Sequence, residues 1–185
     1  LFQVRQWWEV KCSTDEEFDQ DHLIVGNVDN DPNNVHKIIV ASLEGVIRIY
    51  LPTKPDYKVE HLILETNLKQ PILQIALGRF LSSDKSNYLA VLHSRQLCVY
   101  AVTAVGGYGT KAQYYQLNKR YSHNLDRNAF NFIYGPFGQR SHGSHYYDDQ
   151  NYSDSICVQS LDGKFWVFEQ EHFAFNREWN NFLIP

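Results

Sequence analysis

The hydrophobic positions of this chain repeat one design three times: a β-branched and aliphatic run, a tight polar turn, then a second run closing on an aromatic. The copies are VASLEGVIRIY (Val40 to Tyr50), VLHSRQLCVY (Val91 to Tyr100) and VQSLDGKFWVF (Val158 to Phe168). Each follows a shorter apolar run that ends in glycine: Ile24-Val25-Gly26, Ala76-Leu77-Gly78 and Ile133-Tyr134-Gly135. Such repetition signals a repeat architecture, because a unit that cannot bury its apolar face alone must stack on a copy of itself. Units of short antiparallel strands are the blades of a β-propeller. The fold expected is all-β, a partial β-propeller of about three four-stranded antiparallel blades.

Strands are predicted at roughly 22–28, 37–43, 46–51 and 59–66 in the first repeat, and at roughly 72–80, 87–93, 96–102 and 113–122 in the second. Alternation in Val46-Ile47-Arg48-Ile49-Tyr50 turns Arg48 outward between buried neighbours. Leu43-Glu44-Gly45 and Leu161-Asp162-Gly163 read as hairpin turns, with Gly45 and Gly163 supplying positive φ. The middle copy turns through Ser94-Arg95-Gln96 and is one residue shorter, so its turn type should differ. Gly26, Gly78 and Gly135 read as points of close backbone approach at strand ends.

The third repeat begins near Ala129 and is interrupted by residues 139–154, a polar stretch without aliphatic side chains that reads as a long flexible loop. Thr103 to Gln113, with Gly106, Gly107 and Gly109, reads as a second flexible connection. These loops explain why Tyr50, Tyr100 and Phe168 are 50 and 68 residues apart, against about 40–45 for a compact blade. The whole chain is then one propeller fragment over residues 1–185, with repeats near 22–66, 72–122 and 129–185. Phe2 to Val10 is apolar at alternate positions, so residues 1–10 are predicted as an extra strand. On such a strand Trp7 and Trp8 face opposite sides, one toward core and the other a candidate partner contact.

Composition narrows the function. Lys plus Arg (17) against Asp plus Glu (21) gives a net charge of −4. With no basic stripe, nonspecific nucleic-acid binding is disfavoured. No apolar run approaches the ~18 residues of a transmembrane segment, and the start does not resemble a secretory signal. Three cysteines are an odd number. Cys98 and Cys157 lie in predicted strands, so a reduced cytoplasmic setting fits best. The sequence contains no methionine and reads as an excerpt of a longer protein. Three blades cannot close a ring of four to eight, so the excerpt should expose the faces that further blades cover.

Candidate chemistry is sparse. Asp29, Asp31 and Asn33 place oxygens at alternate positions in DNDPNN, which resembles a calcium loop. Lys37 or His36 stands where a later carboxylate ligand belongs, and the other repeats have no equivalent. The alternative is an Asx-rich turn bonded to its own backbone. His142, His145, Asp148 and Asp149 are further metal-ligand types in the 139–154 loop, without a recognised zinc spacing. Asn151-Tyr152-Ser153 forms a glycosylation sequon that a reduced compartment would leave unused. No nucleophile elbow, P-loop, dinucleotide fingerprint or Cys-x-x-Cys occurs, so neither catalytic residues nor cofactors are assigned. His93 reads as a packed or edge histidine.

The runs WW…DEEFDQ…NVDN (Trp7 to Asn30), KIIVAS…G-x-I-R-I-Y (Lys37 to Tyr50), LAVLHSRQLCVY (Leu89 to Tyr100), HNL-D-R-N with YG-x-FG (His123 to Gly138) and SICVQSLDG…VFEQE-x-FAF (Ser155 to Phe175) together carry a resemblance. The chain resembles the N-terminal region of the parathyroid hormone-responsive B1 family, the ninth Bardet–Biedl syndrome proteins, which are BBSome subunits. The resemblance implies a seven-bladed propeller followed by further β and helical domains. It implies a structural, non-enzymatic part in a coat-like complex that carries membrane receptors into and out of cilia. Implied partners are other BBSome subunits and, indirectly, a small Arf-like GTPase and ciliary membrane receptors. Implied locations are cytoplasm, cilium, ciliary membrane and the basal body or centriolar region. The residues alone leave two other classes open: a calcium-dependent ligand-binding or adhesion propeller, and a propeller-based hydrolase or oxidoreductase.

Overall fold

The computed structural model describes residues 6–81, 85–106, 114–137 and 153–170, and the backbone of 172–178. The described residues contain three antiparallel four-stranded sheets. The first holds β1 (Leu23–Gly26), β2 (Lys37–Ala41), β3 (Val46–Tyr50) and β4 (Leu62–Asn67). The second holds β5 (Gln74–Gly78), β6 (Tyr88–His93), β7 (Gln96–Val105) and β8 (Tyr114–Asn124). The third holds β9 (Ala129–Gly135), β10 (Ser155–Ser160), β11 (Lys164–Glu169) and β12 (His172–Glu178). In every sheet spatial order follows chain order, so each repeat is a simple meander.

Alternation along the strands splits each sheet into two faces, and successive sheets pack face to face. Ile39, Ala41, Ile47 and Ile49 of the first sheet share a core with Ile75, Leu89, Val91 and Cys98 of the second. The opposite face of the second sheet, with Ala76, Ala90, Leu92 and Val99, forms another core with Phe132, Ile156, Val158 and Trp166. The middle sheet is thus covered on both sides, and every residue of β6 is buried. The first strands of successive sheets touch, β1 against β5 and β5 against β9. Stacked meanders joined through their first strands are an arc of propeller blades.

The hairpins show why the repeats turn where they do. Ser42 N–H donates to the Val46 carbonyl and Gly45 N–H to the Ser42 carbonyl, both at 3.0 Å. This three-residue loop ends in a left-handed residue, as a type I turn with a bulge requires. Gly45 has φ +88° and its third-sheet counterpart Gly163 has φ +84°. The middle hairpin pairs His93 directly with Gln96 and leaves only Ser94 and Arg95 in the turn. Valine at Gly163 is expected to cost at least about 1–2 kcal/mol, the penalty of left-handed backbone for an L-residue. A thermal melt indistinguishable from the parent would refute that turn.

Several expectations need correction. Residues 6–10 form no strand, while 1–5 lie outside the described residues. Thr103 to Val105 are not a linker: β7 runs through them, pairing Thr103 with Gln116 and Val105 with Tyr114. Long strands satisfy more backbone groups than the glycine content suggested; residues 107–113 lie outside the described set. Of the predicted loop 139–154, only Ser153 and Asp154 are described, and Asp154 is fixed and buried. Its N–H donates to the Arg79 carbonyl at 2.7 Å and its carboxylate accepts from Arg79 N–H at 2.8 Å. His142, His145, Asp148, Asp149 and Asn151 are outside the described residues.

The strand-end glycines differ among themselves. A Cβ at Gly26 would collide with the Leu77 side chain of the second sheet. At Gly78 it would lie 2.7 Å from Phe80 Cζ and 3.0 Å from Asp154 Oδ2. At Gly135 it would make only ordinary contact, 3.7 Å from Phe137 Cδ1, so among the described residues no close approach demands glycine there.

Candidate interaction surface

The back face of the first sheet, turned away from the second, carries two cross-strand rows. In register they are Leu23, Val40, Arg48 and Glu65, and Val25, Ile38, Tyr50 and Leu62. A β-branched and aliphatic face of this kind normally packs against another layer. Here residues 6–19 cross its outer part, while Leu23 and Val25 remain 60% and 62% exposed.

An ion-pair cluster pins that crossing segment. The Arg48 guanidinium donates to both Glu16 oxygens at 2.7 Å, the bidentate geometry that strengthens a charge-assisted bond. Its Nε donates to Glu65 Oε2 at 2.6 Å. Arg48 points away from the core, as alternation requires, yet it is only 8% exposed because the N-terminal segment covers it. The outward direction expected from alternation holds, and that face is covered by the N-terminal segment. The guanidinium hydrogen bond holds the Glu16 carboxyl below its ordinary value, against the opposing effect of burial. The segment also joins the first hairpin: Leu43 N–H donates to the Glu17 carbonyl at 2.9 Å and Glu17 N–H to Glu44 Oε2 at 3.0 Å.

Trp8 anchors the other end. Its indole meets Tyr50 and Tyr57 edge-on at centroid distances of 5.6 and 6.0 Å. Its Nε1–H donates to His61 Nδ1 at 3.0 Å. Acceptance at Nδ1 puts the His61 proton on Nε2, which faces Thr53 Oγ1 at 3.4 Å. Burial pushes the Tyr50 hydroxyl upward, and that hydroxyl reaches Cys12 Sγ at 3.7 Å. Trp7 turns the other way and is 52% exposed. Between the segment and the sheet lies a cavity of about 740 Å³, whose apolar lining includes Phe18, Leu23, Ile38, Val40 and Tyr50.

The Asp29 loop is organised differently. Lys37 Nζ sits 2.7 Å from Asp29 Oδ1 and 3.6 Å from Asp31 Oδ2, and donates to the Val35 carbonyl at 3.0 Å. Both Lys37 and the Asp29 carboxylate are buried. Asn33 does not join them; its N–H donates to Asp31 Oδ1 at 2.8 Å, closing an Asx turn. Asn30, at φ +56°, instead bridges to the second sheet through both the N–H and C=O of Asn87. A tethered ammonium thus occupies the space between the carboxylates. Calcium takes six to eight oxygens and would have to displace it. Millimolar calcium is expected to leave the melting temperature unchanged, since a specific site would raise it by mass action; a concentration-dependent rise would contradict the lysine assignment.

Nothing in the described residues gathers a nucleophile, a base and an orienting group. His93 is buried with Nδ1 2.8 Å from the Pro71 carbonyl, and burial lowers its pKa. Cys98 and Cys157 are free thiols whose pKa burial raises, away from the reactive thiolate. Sequence reasoning missed Glu16, Tyr57 and His61. Glu65 was recoverable, because it stands directly opposite Arg48 across two strands.

A family model described as PTHB1 N-terminal matches residues 1–185. Protein PTHB1 of Mus musculus is 42% identical over 189 residues, which covers 100% of this chain and 20% of that protein. The Homo sapiens protein gives the same figures, and that of Xenopus laevis is 41% identical over 21% of its length. The chain therefore spans about a fifth of the length of these relatives, with 20% and 21% covered. Among solved structures, a crystal structure of BBS1N in complex with ARL6DN, soaked with mercury, aligns with TM-score 0.40 and 9% identity over 89% of this chain and 59% of that one. On the end-to-end match of the family model and the identity to three vertebrate proteins, the chain belongs to the PTHB1 N-terminal family.

Proposed function

We propose that the chain begins a non-catalytic scaffold subunit of the BBSome type, supporting protein–protein contacts in ciliary membrane-protein trafficking and cilium assembly. Its membership of the PTHB1 N-terminal family carries this reading. The geometry is compatible with it: rigid stacked sheets present broad faces and loops, the substrate of shape-complementary docking with an apolar centre and polar rim. The partners proposed are other BBSome subunits, with a small Arf-like GTPase and ciliary membrane receptors reached indirectly. The compartments proposed are the cytoplasm, cilium, ciliary membrane and basal body or centriolar region.

Trp7 is the proposed contact residue, since exposed tryptophan is enriched among the few side chains that dominate binding energy. Affinity purification of the full-length protein, with identification of co-purifying chains, tests the reading. Other BBSome subunits should co-purify in comparable amounts, and Trp7→Ala should weaken recovery of at least one by about tenfold, typical of a hot spot. A protein that purifies alone from ciliated cells would contradict the proposal.

A further inference from the structure

Two buried histidines repeat one arrangement at opposite edges of the first sheet. A single 3₁₀ turn, Gln20–His22, leads into β1, and another, Val59–His61, leads into β4. Each turn closes on its own imidazole: Asp19 N–H donates to His22 Nδ1 at 2.9 Å, and Lys58 N–H to His61 Nδ1 at 3.4 Å. Both histidines are 1% exposed. β1 and β4 are the outermost strands of their sheet, so residues 6–22 form a strap that runs from one imidazole to the other. Trp8 holds to His61 at one end and Asp19 to His22 at the other.

The donors fix how each ring is protonated. A backbone or indole N–H can only donate, so Nδ1 of each ring presents its lone pair and the proton lies on Nε2. At His61 that proton faces Thr53 Oγ1, and at His22 it meets no acceptor among the described residues. A protonated imidazole is a donor at both nitrogens. It would set N–H against N–H at both rings, and at His22 neither nitrogen would be matched. No nearby carboxylate compensates. Of the strands packed on the His22 turn, β5 has no charged side chain and β2 has only Lys37, which is tied to Asp29. The Asp19 carboxylate accepts from Gln20 N–H, and Asp21 is exposed. His61 meets the rings of Trp8 and Tyr57, each 6.3 Å away. Arg48 and Glu65 of β3 and β4 are engaged with each other, and Glu9, Lys11, Lys54, Asp56, Lys58 and Glu60 around it are exposed.

We propose that residues 6–22 are an acid-sensitive strap, in which neutral His61 and His22 hold the two ends on the first sheet and proton uptake by these imidazoles lets the ends lift. Lifted imidazoles reach water and bind protons. The seated form is therefore favoured at high pH and loses ground as pH falls, by up to about tenfold per pH unit for each proton taken up. Lifting opens the 740 Å³ cavity and uncovers Ile38, Val40 and Tyr50. Arg48 keeps the middle of the strap in place, because the Glu16 carboxylate stays ionised until pH falls further.

Two reporters follow the two ends in the full-length protein. Cys12, with Sγ 3.7 Å from the Tyr50 hydroxyl, is labelled with a dithiodipyridine, a reagent that works in acid. The Asp19 amide is followed by hydrogen exchange. Each rate is divided by that of the urea-unfolded chain at the same pH. From about pH 7.5 to about pH 5.5, across the range where histidine changes charge, both ratios should rise at least about tenfold and recover on neutralisation. Cys98, buried between the first two sheets, should stay protected throughout. Asparagine keeps an acceptor near the Nδ1 position but takes up no proton. His61→Asn should therefore remove the rise at Cys12, and His22→Asn the rise at Asp19, each leaving the other end responsive. A flat profile in the unsubstituted protein would overturn the strap, and so would a rise confined below about pH 4.5, where Glu16 is the group that titrates. This profile decides on its own if an asparagine variant does not fold. A rise undiminished in the folded variants would overturn the part given to the histidines. Cys98 reacting together with Cys12 would replace strap release with unfolding of the sheets.

Discussion

Valine at Gly45 is expected to destabilise the protein by about 3–4 kcal/mol, combining left-handed strain with overpacking. At φ +88° a β-branched side chain is strained whatever space surrounds it. Space is also lacking: a Cβ would collide with the Gln70 carbonyl oxygen and lie 3.1 and 3.2 Å from Gln70 C and N. Those are backbone atoms, which cannot rotate aside as a side chain can. Gly45 also accepts a hydrogen bond from Leu68 N–H at 2.8 Å, so the hairpin is docked on the connection into the second sheet. Its distortion therefore reaches the joint between the first two blades. The melting temperature should fall by about 6–15 °C for a chain of this size, more than for Gly163→Val. Equal losses at the two positions would mean that docking against Gln70 contributes nothing.

Arg48→Leu should cost about 3 kcal/mol, the effect of stripping one partner from a buried charge cluster. The Glu16 arm accounts for most of it, because that carboxylate is covered while Glu65 is half exposed and screened. Leucine fills part of the space but leaves the Glu16 charge without its bidentate donor. The pH dependence has a definite sign. Arg48 depresses the Glu16 pKa in the folded state relative to its ordinary 4.5. The stability this provides is fully present above the unfolded value and disappears as pH falls through the depressed folded value. Melts of parent and Arg48→Leu should thus differ most near neutrality and converge below about pH 4.5. A difference that grew on acidification would place the effect elsewhere. With its pin removed, the N-terminal segment should also release Trp8 from Tyr50 and His61, shifting tryptophan emission to the red.

The repeats were legible because short-range rules govern them. Glycine after Leu-Glu and Leu-Asp dictates the turn, and the turn fixes the register of the strands it joins. Alternation likewise assigned Ile47 and Ile49 to one face and Arg48 to the other. It could not tell that the second face is covered, because Glu16 arrives from 32 residues earlier through a segment without ladder pairing. The same limit misjudged residues 6–10: their apolar alternation is real, but Trp8 uses it to fill an aromatic cluster. Lys37 was read as a missing ligand, whereas a buried lysine beside two aspartates is itself the counter-ion. The hydrogen bonds between the Gln74 amide and the N–H and C=O of Phe132 escaped notice because a side-chain bond to the backbone of another repeat leaves no periodic trace.

Methyl–methyl and methyl–aromatic nuclear Overhauser contacts test the stacked-blade arrangement most directly. Ile39 and Ile47 should show cross-peaks to Leu89 and Val91, while Leu92 and Val99 contact Phe132 and Val158. The two networks should meet only through the second sheet. Direct contacts between Ile39 or Ile47 and Phe132 or Val158 would instead describe a sandwich, and contradict three sheets stacked in succession.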